Sequence, residues 1–455
     1  GVIAKVLPSL FMGYFVGLII FAILHIIQKK DKNHLALKYA AYIMGMEVLY
    51  RMTGHIFLYE LGKYGVIMTC LTGILVNRGK SKVTPFVCVF LMLLPAIVWT
   101  EYPGTFFLYR KMVLFNLSGP ITLAAVGMYC YKRRIDENEF WKLMSWTIMP
   151  SISMVTLLFL GISISAMTFT SSSSYAASAG FGPNQVSSVL GFFAVVLYLA
   201  IWNKKVLTIN RVADCILLVL ILIRAMLTLS RGGVFAMFAA ILLSNVILYF
   251  LFSSFRTKLK RHFKMIVGVT FLFVTGFLVT NSLTDNWLLY RYQNKTTNSV
   301  LRGDRNERSL LTGREIIMRA ELVLFQEKFF TGTGVGMSKV LRQRKYGLNA
   351  SYLSMASHTE YTRLLSEHGF LGLLFIVIAL LYLPLQRFLN DSNLLSKQFM
   401  LLFFLLGILT MFHAAMRISL AAVLIGISFL IIEQVVVSPA TDDELDLEEA
   451  SDAVT

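Results

Sequence analysis

The sequence predicts an all-α polytopic membrane protein of about 12–13 transmembrane helices with one long, helical, outward-facing loop. Hydrophobic residues fill 56% of its 455 positions and charged residues only 15%, too apolar a balance for a soluble chain of this size. The apolar residues fall in blocks of about twenty, the length a helix needs to cross the hydrocarbon core. The shorter stripes of period 3.6 that mark soluble amphipathic helices are scarce. Lysine and arginine concentrate in every second loop, which sets an orientation.

The apolar blocks lie near 6–27, 37–50, 61–76, 83–99, 111–131, 143–165, 186–202, 211–229, 233–252, 265–281, 368–386, 398–414 and 416–434. No small-residue cleavage site follows the first, so it reads as a retained span and not as a signal peptide. The second is short and polar, and the run Gln398–Gln434 suits either two helices or one broken helix. The loops Lys29–Lys38, Arg78–Lys82, Lys132–Lys142, Lys204–Arg211, Arg256–Lys264 and Arg387–Lys397 hold twenty-one Lys and Arg, against about five in the short loops between them. The positive-inside rule places the basic set in the cytoplasm. The tail joins it there: Thr441–Thr455 carries seven acids and no base, the composition of a solvated end.

The chain therefore divides into a first transmembrane bundle (1–281), an outward loop (282–367), C-terminal spans (368–436) and an acidic tail (437–455). The net charge of +17 has no soluble basic face that would serve nucleic acid, so membrane lipid headgroups or a phosphorylated lipid substrate are the expected partners. Cys70, Cys88, Cys130 and Cys215 all fall inside apolar blocks, without disulfide or metal-ligand spacing, and read as small hydrophobes.

One loop departs from the charge pattern. Ser282–Glu367 is 86 residues long, and its stretch Arg291–Lys345 holds twelve Lys and Arg against five Asp and Glu. Long loops escape the positive-inside rule, so topology tolerates this charge without calling for it; an anionic ligand outside the membrane does call for it. Thr312–Lys328 reads as an amphipathic helix with Ile316, Ile317, Ala320, Val323 and Leu324 apolar and Thr312 as N-cap. A second outward segment, Thr168–Gln185, carries no charge and closes on the turn Gly180-Phe181-Gly182-Pro183-Asn184-Gln185.

Ser230-Arg231-Gly232-Gly233 joins two apolar helices with almost no loop, and its glycines permit the turn. Arginine at a membrane face is expensive unless it snorkels, pairs or binds something, so Arg231 is either a snorkelling helix-end residue or a phosphate-binding one. Arg314, at the start of the amphipathic helix, is either solvated or joins the helix N-terminus in holding a phosphate. Gly332–Gly336 resembles a phosphate loop only superficially, since no strand precedes it and no P-loop lysine follows; it reads as a turn that lets the backbone approach a neighbour.

His358 lies about ten residues before the span at Phe370, with Glu360, Arg363, Glu367 and His368 after it. An interfacial histidine can take a proton from a hydroxyl near neutral pH, and Glu360 can orient it or share that work; a solvated helix-end histidine is the plain alternative. No third ligand gives His358 and His368 a zinc spacing, and no Asp-x-Asp pair stands outside to hold a metal for a sugar nucleotide. His413 and Arg417 sit four apart, which places them on one face of a helix. Glu47 and Arg51 share that spacing and read as a structural ion pair.

In this order, Ser230-Arg231-Gly232-Gly233, Gly313-Arg314, Gly332–Gly336, Ser357-His358-Thr359-Glu360-Tyr361 and Glu367-His368-Gly369-Phe370-Leu371-Gly372 resemble the O-antigen ligase and polymerase superfamily of bacterial membrane glycosyltransferases. The resemblance covers roughly residues 170–430, and Gly180–Gln185 also matches what precedes a mid-chain span in these proteins. It implies action on the periplasmic face of the inner membrane. There a glycan would move from undecaprenyl diphosphate to an acceptor hydroxyl without nucleotide, metal or cofactor. It further implies that Arg231 and Arg314 bind the diphosphate and that His358, with Glu360 beside it, is catalytic. Asn184, Ser230, Tyr361 and Arg417 would position substrate. This chain has Thr359 where many members have Asn after the histidine.

The leading expectation is an inverting ligase acting on a lipid A–core acceptor. The alternatives are an O-antigen or exopolysaccharide polymerase, a protein O-oligosaccharyltransferase, and a lipid-linked glycan transporter. A transporter would use the same arginines without needing His358, and would show inverted repeats.

Overall fold

The computed structural model describes the chain apart from residues 55, 78–83, 102–103, 164–166, 303–313, 347–356 and 434–455. Each of the thirteen apolar blocks contributes a helix. They form α1 (Pro8–Lys29), α2 (Leu35–Met52), α3 (Leu61–Val76), α4 (Pro85–Leu91, continued by Pro95–Val98), α5 (Phe106–Cys130), α6 (Glu137–Leu160), α7 (Pro183–Trp202), α8 (Arg211–Leu227), α9 (Arg231–Leu251) and α10 (Phe263–Leu283). After the long loop, which contributes α11 (Arg314–Glu327) and α12 (Met337–Tyr346), come α13 (Glu360–Val377, extended to Leu389), α14 (Leu394–His413) and α15 (Leu420–Ile427). The chain is an all-α polytopic membrane protein.

Seven of these helices are long and apolar enough to cross a membrane, and three shorter apolar ones accompany them. Helices α2 and α8 hold buried charges, Glu47 with Arg51 and Asp214 with Arg224, which lower their hydropathy without moving them from the bundle. The helix starts are written locally. Asp136, Asn210 and Asn393 accept from the backbone N–H groups of Glu139, Ala213 and Leu395, while Pro8, Pro85 and Pro183 occupy the first turn where no N–H is needed.

The described basic loops gather at one end of the bundle; Arg78–Lys82 lies outside the described residues. Lys38 pairs with Glu139, Arg133 with Asp31 and Lys205 with Glu137, and Arg387 donates to the carbonyl of Leu430. A two-stranded parallel ladder joins Arg134–Asp136 (β1) to Ile431–Glu433 (β2) and draws the C-terminal run into the same layer.

The run Gln398–Gln434 is broken: α14 stops at His413, and only eight residues from Leu420 to Ile427 resume the helix, buried throughout. The interruption lies at the opposite end from the ladder. The boundary drawn at 367 shifts as well, because α13 starts at Glu360 and runs through a kink at Gly369 into the apolar block.

Candidate active site

Arg231 opens α9, and the reversal before it occurs at Leu229, whose φ is +51°. The expectation that Gly232 and Gly233 make the turn is therefore overturned: both are helical, and both allow close packing. A Cβ on Gly232 would sit 2.4 Å from His413 Cδ2, and one on Gly233 would sit 2.5 Å from Ser187 Oγ and from the backbone N of Ser188. Small residues let helices approach closely inside a membrane, where apolar burial alone discriminates little. Asn184 Oδ1 accepts from Ser230 Oγ at 2.8 Å, and Ser187 Oγ donates to Ser230 Oγ at 3.0 Å. Asn184 and Ser230 thus brace the corner that carries Arg231. The Arg231 guanidinium donates to the carbonyl of Arg291 at 3.1 Å and to Asn294 Oδ1.

Arg314 is the first residue of α11; the expected cap Thr312, with Gly313, Arg305 and Arg308, lies outside the described residues. Burial, then the guanidinia of Arg417 and Arg231, hold the pKa of Arg314 below the ordinary arginine value. Three guanidinia from separate parts of the chain therefore share one space. His358 faces the same field. Burial, followed by Arg417, Arg314, Arg342 and His413, pushes its pKa from 6.5 down to about 3, so the imidazole is neutral. Arg314 and Arg417 thus stand near His358, and Arg231 stands near Arg314.

The carboxylate that fixes the His358 segment is Glu321, a residue the sequence reading did not single out. It is fully buried on α11 and accepts from Arg342 at 2.9 Å, from Thr362 Oγ1 at 2.6 Å and from Ser357 Oγ. Burial raises its pKa, opposed by Arg342. The signal was legible, because Glu321 lies on the buried face of the amphipathic helix with Ile317, Ala320 and Leu324. From the other side Arg417 donates to the carbonyl of Ser357 at 2.8 Å.

Glu360 is placed differently from the expectation that it works beside His358. Arg363 engages both of its oxygens, and the backbone N–H of Met416 reaches it at 3.2 Å. Arg363 also pairs with Glu367 at 2.8 Å, which accepts from Ser338 at 3.0 Å. Among the described contacts none joins Glu360 to His358, because the first helical turn carries its side chain toward Arg363. Tyr361 donates its hydroxyl to the carbonyl of Ile408 at 2.7 Å, a tie between α13 and α14.

His413 and Arg417 do not share a helical face, since α14 ends at His413 and Ala415 turns the chain at φ +51°. His413 reaches Ser188 Oγ at 2.9 Å instead. The turn that follows is anchored from below. The Glu47 carboxylate, paired with Arg51 at 2.5 Å, accepts from the backbone of Ser419 at 2.7 Å, and Arg51 donates to the carbonyl of Arg417 at 3.1 Å.

The glycine turn is a clamp. Thr333 N–H and Gly334 N–H donate to the carbonyls of Ser366 and Glu367 at 2.8 and 3.1 Å, beside Gly369, whose φ of +59° and ψ of −133° only glycine adopts readily.

A cavity of 590 Å³ adjoins this site at Ser357 and Arg417 and is walled beyond them by Lys111, Phe115, Asn116 and Lys339. Among the described residues no three His, Cys, Asp or Glu side chains gather as metal ligands.

No curated protein matches the chain. Residues 216–377, about a third of the chain, match the family model described as O-antigen ligase, and this segment contains Arg231, Arg314, His358 and the whole clamp around Gly369. Over that segment the chain is similar to the O-antigen ligase family, which supports a ligase- or polymerase-like function.

Proposed function

We propose that the chain moves a glycan from a polyprenyl diphosphate carrier to an acceptor hydroxyl, at the end of the bundle opposite its basic loops, on the periplasmic face of the inner membrane. The observation that carries this reading is that Arg314 and Arg417 stand by a neutral His358, with Arg231 next to Arg314. Guanidinia that repel one another in a buried space are stabilised by a diphosphate, which accepts bidentate hydrogen bonds from each. On this reading Arg231 and Arg314 hold the diphosphate, and the acceptor, a lipid A–core sugar, enters through the 590 Å³ cavity.

The acceptor oxygen attacks the anomeric carbon as its proton passes to the His358 imidazole, and the bond from that carbon to the carrier diphosphate breaks. The electron pair leaves on the diphosphate, where the guanidinia stabilise it. A single displacement inverts the anomeric centre. Neutral His358 is available as base but weak beside these guanidinia. Donor binding places negative charge beside them and restores its basicity, so the base is activated only when the donor is present. Glu360, Tyr361, Asn184 and Ser230 act as positioning residues that hold the segments carrying His358 and Arg231.

The test is transfer by purified protein in proteoliposomes supplied with undecaprenyl-diphosphate-linked glycan and, in separate reactions, a lipid A–core acceptor or a second glycan repeat. Loss of product in His358→Ala, with donor still bound, is expected; full transfer by that variant removes His358 as the base. Product with the glycan repeat alone makes the enzyme a polymerase.

A further inference from the structure

A cavity of 850 Å³ lies at the basic end of the bundle, remote from the site above, lined by Lys29, Lys30, Lys32, Lys132, Arg133 and Arg134. Asp31, the acid in its wall, is 4% exposed and already committed. It accepts from Tyr129 at 2.7 Å, Asn77 at 2.9 Å, the backbone N–H of Ala36 at 2.8 Å and Arg133 at 3.2 Å. Arg134 pairs with Glu433. Among the described residues the four lysines form no ion pair.

His34 also lines the cavity, and its Nδ1 is buried without a hydrogen-bond partner among the described residues. Lys30, Asp31, Asn33, His34 and Lys132 all hold φ between 49° and 56°, a left-handed conformation that costs each non-glycine residue on the order of 1 kcal/mol. Positive-inside topology accounts for lysines at this end. It does not require them to circle a cavity on a strained backbone beside an orphaned imidazole nitrogen.

We infer that this cavity binds a phosphate-bearing ligand through Lys29, Lys32 and Lys132, a second anion site separate from the transfer site. Ile74, Met128 and Tyr131 supply an apolar wall next to the lysines, which suits the phosphate and first carbons of an anionic phospholipid better than a fully solvated ion. The cavity opens where α1, α3 and α5 end, the level at which lipid headgroups meet a membrane protein.

The test uses the full chain in detergent micelles, titrated with phosphatidylglycerol, phosphatidylcholine or inorganic phosphate while thermal unfolding is followed. Phosphatidylglycerol is expected to raise Tm in a saturable manner, and phosphatidylcholine is not. A response to inorganic phosphate as well would assign the site to phosphate itself, with the lipid as one carrier of it. The variant Lys29→Gln/Lys32→Gln/Lys132→Gln should bind on the order of 100-fold more weakly, from about 1 kcal/mol per lysine. Arg256→Gln/Lys260→Gln/Lys264→Gln removes three exposed cations elsewhere at this end and should bind as wild type does.

Equal weakening in both triple variants would reduce the effect to general surface charge and overturn the site. So would the absence of a Tm response to either phosphate source. Binding that emerges only in a chain ending at Glu433 would assign the cavity to the acidic C-terminal segment and overturn it equally.

Discussion

The protonation of His358 can be read directly, because diethyl pyrocarbonate modifies only the neutral imidazole. A solvated histidine of pKa 6.5 is roughly three-quarters neutral at pH 7 but only about 3% neutral at pH 5, so its modification slows roughly 25-fold between them. For His358, pushed down to about 3 by burial and by Arg417, Arg314, Arg342 and His413, the group stays neutral across that interval and the rate should stay flat. The depression corresponds to roughly 5 kcal/mol in favour of the neutral form. The sign follows from the causes: burial and cationic neighbours both disfavour imidazolium.

The assay is site-resolved mass spectrometry of carbethoxylated His358 at pH 5 and 7, with an added free histidine-containing peptide as the reference. Saturating pyrophosphate should pull the pKa of His358 back up, so that the pH 5 rate falls severalfold while the reference peptide is unchanged. A 25-fold fall in the ligand-free protein would refute the reading of a buried cationic field. A pyrophosphate-independent rate would sever His358 from the anion site.

Three further outcomes follow from the same geometry. Arg314→Gln relieves repulsion among three guanidinia, so it should raise the Tm of the ligand-free protein yet weaken pyrophosphate binding about 10- to 100-fold; a lower Tm with unchanged binding contradicts it. Glu321→Gln leaves Arg342 buried and unneutralised, and should destabilise by about 3–5 kcal/mol and lower kcat. Glu321→Leu/Arg342→Met should regain stability without regaining kcat, because leucine accepts no hydrogen bond from Ser357. Gly233→Ala forces a methyl to within 2.5 Å of Ser187 and Ser188, so a loss of about 1–3 kcal/mol by thermal unfolding is expected; an unchanged Tm would show that α7 and α9 are looser than described.

Much of the molecule was legible before its fold was known. The apolar blocks gave the helices, and the described basic loops lie together at one end, because helix length and hydrophobicity are properties of a contiguous segment. The break in Gln398–Gln434 was readable as an ambiguity. Its resolution was not, since Glu47, Arg51 and Glu360, each far away in sequence, hold the turn at Met416–Ser419.

The sequence by itself determined the helical, membrane-spanning class, for which composition suffices; it marked Arg231, Arg314 and His358 as candidates through a family resemblance. Only the tertiary structure decided which charges act together. It gave Glu360 to Arg363, separated His413 from Arg417, turned Gly232 and Gly233 from hinges into packing surfaces, and made Glu321 the anchor of the His358 segment. The physical reason is that a buried charge is defined by its partners, and here those range from the next helical turn, as for Glu360 and Arg363, to a segment hundreds of residues away, as for Glu47 and Ser419.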